Sequence, residues 1–273
     1  SGFWNAGAGT LTLTGTDSLA AYVAALRNVG YENTSDNPNE STRTISFTVN
    51  DGEANSNVLT RDIAVTAYND APTNAGSTPT DVVVIEDVAT NIDLSDLTIA
   101  DPDVNGGNIT LTLATTNDGT LQSSSGGGVT VAGSGTNTVT LDGTLADLNA
   151  FLDNVTNIQF TGFQDVYGND VDAITVTVND NGNSGSGGGV DVLLETVNVD
   201  ITGVNDSPVI AGLGGDSVSI FNDGVAKLID VLSPAMFDDA KDGTVDYDGG
   251  TLTLAGNSFD ALDTLGLDVS GAI

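Results

Sequence analysis

The side chains with chemistry to offer in this sequence are almost all oxygen donors. Asp101-Pro102-Asp103 sets two carboxylates on one short loop. Asn69-Asp70-Ala71-Pro72 and Asn205-Asp206-Ser207-Pro208 each put an amide beside a carboxylate just before a proline, and Val-Asn-Asp occurs at 49–51 and at 178–180. Each motif alone makes an ordinary turn, because Asn and Asp hydrogen-bond their own backbone two residues on. Taken as a set, they suit a hard divalent cation: Ca²⁺ takes about six to eight oxygen ligands, from carboxylates, amides and backbone carbonyls. Other chemistries lack their residues. The chain has no Cys and no His, which removes thiolates, disulfides, the usual zinc ligand and the usual general base. There is no GxxxxGK phosphate loop. No carboxylate pair stands out as the two acids of a glycosidase. The chain is therefore not expected to be an enzyme.

The acids dominate the electrostatics. Thirty-eight acidic residues face only 5 Lys plus Arg, a formal charge of -33. That field repels nucleic acid and anionic membrane surfaces, and it opposes compaction unless something neutralises it. Glutamate occurs only at 32, 40, 53, 86 and 195; every other acid is the shorter, stiffer Asp. A salt-tolerant acidic surface is the plain alternative to cation binding. No apolar run is long enough to span a membrane, so direct membrane insertion is not expected. The opening SGFWNAGAG has neither an initiator Met nor a signal-peptide pattern and reads as part of a longer chain.

The elements that must position these acids are mostly strands. LTLTGT (11–16), RTISFTVN (43–50), TRDIAVTA (60–67), DVVVI (81–85), NITLTLA (108–114), GVTVAG (128–133), NTVTL (137–141), DAITVTVN (172–179) and ETVNVDIT (195–202) are rich in Thr, Val and Ile and largely alternate. Turn-rich clusters such as NDGEANSN, DPDVNGG and NDNGNSGSGGG separate them. Two stretches carry helical spacing instead: Leu19, Val23, Leu26 and Val29 within 16–29, and Leu145, Leu148, Leu152 and Val155 within 144–155. Thr16 or Asp17 is the expected cap of the first, and Thr144 with Asp147 that of the second. Hydrophobic content of 39% with only 5% aromatics suits sandwich-type cores better than one large enzyme core. Gly126–Gly128 and Gly187–Gly189 read as flexible hairpin tips. Phe3 and Trp4 read as an anchor buried at a domain junction, or else as a platform for a sugar.

The order of elements repeats. GTLTL, helix, ISFTVNDG, DIAVTA, NDAP fills 9–72; NTVTL, helix, ITVTVNDN, VNVDIT, NDSP fills 137–208. At the other end, DGGTLTLAG (248–256) matches VNGGNITLT (104–112), and Asp246-Tyr247-Asp248 matches Asp101-Pro102-Asp103. Residues 209–273 followed by 1–72 equal 73–208 in length to within one residue. The chain thus reads as two repeat lengths, cut within a repeat, as one period of a longer array would be. A fragment cut there by chance is the alternative.

These residues resemble the bacterial cadherin-like tandem repeats of giant secreted surface adhesins, often of the RTX type exported by type I secretion. The likeness rests on the NDAP and NDSP linkers, Glu86-Asp87, Asp101-Pro102-Asp103, the two VND motifs, RNVGYENTSDNP (27–38) and VNDNGNSGSGG (178–188). It implies an all-β fold of tandem Ig/cadherin-like β-sandwich repeats, each with one short helix. Residues 1–70 would be the C-terminal part of one repeat, 71–206 a complete repeat and 207–273 the N-terminal part of the next. It implies Ca²⁺ at the linkers. The first site would use Asn69, Asp70, Asp101, Asp103 and Asp180; the second Glu86, Asn205, Asp206, Asp246 and Asp248. Asp51, the match of Asp180, would serve the linker further upstream. The pattern also departs from the family: Ala67 and Gly203 replace the first Asp of the cadherin linker, its second Asn is missing, and the Leu-Asp-Arg-Glu motif has only Asp165, Asp170 and Asp172 near its place. One or two ions per linker are therefore expected, fewer than the full cadherin set. The RTX nonapeptide is absent, so no calcium β-roll is expected here.

The function implied is a structural segment of a long extracellular adhesin or surface fibre on a bacterial cell, stiffened by calcium. Its partners would be neighbouring repeats of the same chain, or like chains head to tail. Two alternatives stand beside it: a self-assembling filament or sheath whose half-repeats complete one another between chains, and a module that binds cell-surface or matrix carbohydrate or a like repeat.

Overall fold

The alternating Thr/Val/Leu runs pair into sheets around one apolar core. The computed structural model describes residues 1–77, 79, 81–183, 185–204, 251, 253, 254 and 257, and the backbone alone of 209–211 and 236–238. The chain runs β1 (Gly2–Asn5), β2 (Thr10–Leu13), α1 (Leu19–Arg27), β3 (Arg43–Phe47) and β4 (Leu59–Ile63). It continues through β5 (Thr73–Asn74), β6 (Val82–Ile85), β7 (Thr90–Asn91), β8 (Ile99–Ala100), β9 (Asn108–Thr115), β10 (Thr120–Ser123), β11 (Thr130–Ala132) and β12 (Thr138–Thr144). Then come α2 (Leu145–Leu152), β13 (Ile158–Thr161), β14 (Gly168–Asn179), β15 (Val192–Thr202), β16 (Val209–Ala211) and β17 (Met236–Asp238). The protein is all-β in character, with two short helices among its described residues. None of its described helices is long and apolar enough to cross a membrane.

The central body is a six-stranded sheet ordered β11-β12-β9-β14-β15-β6 and a three-stranded sheet ordered β10-β13-β7. Pairing is antiparallel except where β6 joins β15 in parallel. Side chains alternate across a strand, so β9 sends Ile109, Leu111 and Leu113 fully into the core while Thr110 and Thr112 stay half-buried. Val139 and Leu141 of β12 do the same, as do Ile174, Val176 and Val178 of β14 and Val197, Val199 and Ile201 of β15. Leu121, Ile158 and Phe160 of the smaller sheet belong to the same cluster. Each such side chain stabilises the body by roughly 1.5–3 kcal/mol when fully buried.

Helix α2 closes one flank of this core with Leu148, Phe151 and Leu152. It begins at Thr144, as the sequence indicates: the Asp147 N–H donates to Thr144 Oγ1 at 3.2 Å, and that hydroxyl donates to Asp147 Oδ2 at 2.7 Å. Helix α1 begins one or two residues later than its caps were placed, at Ser18, whose hydroxyl accepts from Ala21 N–H. Asp17 instead accepts the Ser18 N–H at 2.7 Å.

Residues 1–66 are built differently. β1–β2 and β3–β4 are separate two-stranded sheets, and α1 buries no residue. Phe3 is 68% exposed and Trp4 59%, so the aromatic pair expected at a buried junction faces solvent. The β3–β4 pair nevertheless keeps the register of β14–β15: Ile45 faces Arg61 as Ile174 faces Val197, and Arg43 faces Ile63 as Asp172 faces Val199.

Candidate metal centre

The linker enters the body beside the β14–β15 hairpin. Ser186 N–H donates to Ala67 O at 2.9 Å, and Asn69 N–H donates to Ser186 O at 3.0 Å, so Tyr68 and Ser186 form a parallel bridge. The glycine-rich stretch taken from sequence for a flexible tip is thus the seat of the linker. Gly185 has φ +89°, and a Cβ there would lie 2.8 Å from the backbone of Ala67 and Asn69. A side chain at this position meets both strain and a clash.

Seated this way, the linker carries Asn69 and Asp70 onto the Asp101-Pro102-Asp103 loop and Asp180. Asn69 Nδ2 donates to Asp180 Oδ2 at 2.5 Å, the Asp70 N–H to Asp103 Oδ2 at 3.1 Å, and the Asp103 N–H to Asp101 Oδ1 at 3.1 Å. The five residues assigned to the first linker site therefore converge. Three of them are buried carboxylates, with Asp101 9%, Asp103 1% and Asp180 1% exposed. Burial pushes the Asp101 carboxyl from 3.8 up to about 6, reinforced by its side-chain hydrogen bond with Asp103 and by the charges of Asp103 and Asp180. Asp101 Oδ2 and Asn69 Oδ1 are buried with no hydrogen-bond partner.

A buried charge is stable only when paired or bound to a metal. The chain is poor in cationic groups, with 5 Lys plus Arg in all and none between Arg61 and Lys227 in the sequence. The donor set is oxygen only and anionic and includes two unpartnered oxygens, which fits a hard cation of the calcium type better than the nitrogen and sulfur coordination preferred by zinc.

At the opposite end of the β14–β15 hairpin, Glu86 is buried to 1% exposure. Its N–H donates to Thr202 O at 2.9 Å, and its Oε2 accepts the Val204 N–H at 2.9 Å. Its Oε1 is buried without a hydrogen-bond partner, where the chain leaves the body. The ligands assigned to join it, Asn205, Asp206, Asp246 and Asp248, lie outside the described residues. The backbone register adds one relation. β16–β17 pairs Val209 with Asp238 and Ile210 with Phe237, as β5–β8 pairs Thr73 with Ala100 and Asn74 with Ile99. Asp101 follows β8 directly, and Asp239 follows β17 directly, so Asp239 holds that place in sequence as well as Asp246 does. Asp51 is exposed, and its Oδ1 accepts the Glu53 and Ala54 N–H groups at 3.0 and 2.9 Å, the turn that Asp180 makes with Gly182.

Other residues at these ends were not singled out from sequence. Glu40 Oε1 accepts the Ala67 N–H at 2.8 Å, and Asn37 Nδ2 donates to Asn105 Oδ1 at 2.5 Å, so the 37–40 segment lies along the linker. Asn37 lies in the family-like run 27–38, and Glu40 lies two residues beyond it. Asp81, Asp170 and Asp200 bring carboxylate oxygens within 4.8 Å of one another on the surface. Asp172, near the place of the missing Leu-Asp-Arg-Glu motif, is saturated by donors. Its Oδ1 accepts Thr116 N–H, Thr116 Oγ1, Asn117 N–H and Ala173 N–H, and its Oδ2 accepts Gly119 N–H. That carboxylate holds a turn together. Comparison with known protein families and with curated proteins finds no match to either.

Proposed function

We propose that this chain is a structural segment of a long extracellular fibre or adhesin, made of Ig/cadherin-like β-sandwich repeats that calcium stiffens at their linkers. The observation that supports it most is the convergence of Asn69, Asp70, Asp101, Asp103 and Asp180 on the linker, with three buried carboxylates and two buried oxygens, Asp101 Oδ2 and Asn69 Oδ1, that have no hydrogen-bond partner. These residues would hold the ion. When bound, it supplies charge neutralisation and a fixed joint between the upstream segment and the body. The protein's own part is to deliver ligands from three separate elements: the linker, the loop after β8 and the end of β14. An ion held by all three resists bending of the linker, because bending withdraws Asn69 and Asp70 from it.

The test is thermal unfolding of the whole chain in EDTA and across a calcium titration. Calcium at ten times its dissociation constant stabilises by about 1.4 kcal/mol per independent site. A saturable rise, lost when Asp101→Ala and Asp103→Ala are combined, is the expected result. A melt that responds equally to any salt would reduce the acids to general surface charge.

A further inference from the structure

We infer that the loop between β14 and β15 is a strap that docks the linker on the body before any ion arrives, with Asn183 and Ser186 as the positioning residues for Asn69 and Asp70. The inference rests on the calcium reading above for what those two residues do. The docking itself needs no ion.

β14 ends at Asn179 and β15 begins at Val192, so the twelve residues 180–191 join two adjacent antiparallel strands. About two to five residues usually make such a connection. Its base is closed by Asn179 Nδ2, which donates to Asp191 Oδ1 at 2.7 Å. The extra length beyond that base reaches in two directions.

On the body side, the side-chain amides of Asn181 and Asn183 both donate to Asn108 O at the start of β9, at 3.1 and 2.6 Å. Asn183 Nδ2 also donates to Asp180 O. Gly107 makes the room for this anchor, since a Cβ there would lie 2.2 Å from Asn183 Oδ1. On the linker side, Ser186 takes up the backbone on either side of Tyr68. Its N–H donates to Ala67 O, and its O accepts the Asn69 N–H. Glu40 accepts the Ala67 N–H, so both backbone polar groups of Ala67 are engaged. Ala67 is 5% exposed, alone among the described residues of 1–70 in being buried.

Both ends of the strap fall on the ligand set. It starts directly after Asp180, whose Oδ1 accepts the Gly182 N–H at 3.0 Å and whose Oδ2 accepts the Asn69 amide. It finishes on the main chain of Asn69, and Asp70 follows directly. The strap thus closes the same ring that an ion bound to Asn69 and Asp180 would close. A ligand already held in its bound position costs less to order on binding. Residues that orient a metal's ligands commonly carry about 10–100-fold of its affinity.

The experiment follows hydrogen exchange of the full chain in EDTA and in calcium, beside isothermal titration with calcium. The Asn69 N–H is expected to be protected in EDTA, with no ion present. Ser186→Pro removes the N–H that holds Ala67 O; Ser186→Ala keeps it and loses only a 3.4 Å hydroxyl contact to the same oxygen. Asn183→Ala cuts the strap from the body. Ser186→Pro and Asn183→Ala are expected to expose the Asn69 N–H in EDTA and to weaken calcium binding by about 10–100-fold. The melt of the central body in EDTA is expected to stay nearly unchanged in both, because the strap contributes nothing to the apolar core. Ser186→Ala is expected to match the natural chain in all three readouts. An Asn69 N–H that exchanges freely in EDTA and is protected only by calcium overturns the inference. So does a Ser186→Pro chain with unchanged protection and unchanged affinity. A natural chain that binds no calcium, yet protects the Asn69 N–H in EDTA and loses that protection in Ser186→Pro, overturns the calcium reading instead and supports the docking.

Discussion

Asn69 and Asp180 are 111 positions apart in sequence, yet the Asn69 amide donates to the Asp180 carboxylate at 2.5 Å. The contact joins the linker to the far end of β14 and leaves Asn69 Oδ1 buried without a partner. Replacing Asp180 by Asn removes one charge from the cluster while keeping its shape. Calcium affinity is expected to fall about tenfold or more, equivalent to about 1.4 kcal/mol, with the melt in EDTA little changed or raised. Isothermal titration of both proteins checks this.

Asp101 sets a pH dependence that calcium is expected to remove. Its carboxyl is raised from 3.8 to about 6 in the folded body, so the folded state holds a proton there that the unfolded chain has released. In EDTA, this group makes stability fall as pH rises from about 4 to about 6, and its cost is complete above that window. Asp93 acts in the opposite sense. The hydroxyl and N–H of Ser95 hold it below 3.8, and its contribution is lost as pH falls through that lowered value. With saturating calcium, the cation keeps Asp101 ionised in the folded state as it is in the unfolded chain, so the fall across this window disappears. Urea unfolding between pH 4 and 7, with and without calcium, reads both slopes.

Asp172 is expected to matter for stability and not for calcium. Asp172→Ala leaves the backbone N–H donors of Asn117 and Gly119 without their acceptor inside the body, while the Thr116 N–H keeps Ala173 O. The expected loss is about 3 kcal/mol, since stranding buried donors costs about 1–3 kcal/mol each with partial relief from water. Gly119 lies so close to Phe160 and Asp172 that a Cβ would clash with both. Chemical denaturation in EDTA shows the loss; an unchanged calcium affinity in the folded fraction separates this acid from the linker set.

Gly185→Ala tests the seat of the linker. The left-handed φ of +89° and the 2.8 Å approach to Ala67 and Asn69 leave no room for a methyl group. The linker is expected to lift from the 182–189 loop, with a stability loss of about 1–2 kcal/mol and weaker calcium binding. Hydrogen exchange at the Asn69 amide, which donates to Ser186 O, is expected to accelerate.

Much of the fold was legible because its signals are local. Alternation in NITLTLAT, TVTLDGT and VDAITVTVN specifies which side chains face the core, and the Thr144–Asp147 pair marks the start of α2. β10 and β13 carry Leu121 and Phe160, the heart of the second sheet, but span only four residues each, too short for a periodic signal. The parallel docking of β6 on β15 joins residues more than a hundred positions apart and leaves no mark in either segment.

Sequence alone determined which donors the chain can offer: an oxygen-only set, repeated in order, with no Lys or Arg between Arg61 and Lys227. Only the tertiary structure decided which acids share a site. Asp101, Asp103 and Asp180 became a buried cluster because the β8 loop and the end of β14 meet under the linker. Asp172 became a clamp, equally acidic but surrounded by donors. The physical reason is that a carboxylate's role depends on what surrounds it, and in a fold of long-range pairings those surroundings come from distant parts of the chain. The same reason separates α1 from α2. Both carry an apolar stripe, but among the described residues only α2 has a sheet beside it to cover that stripe.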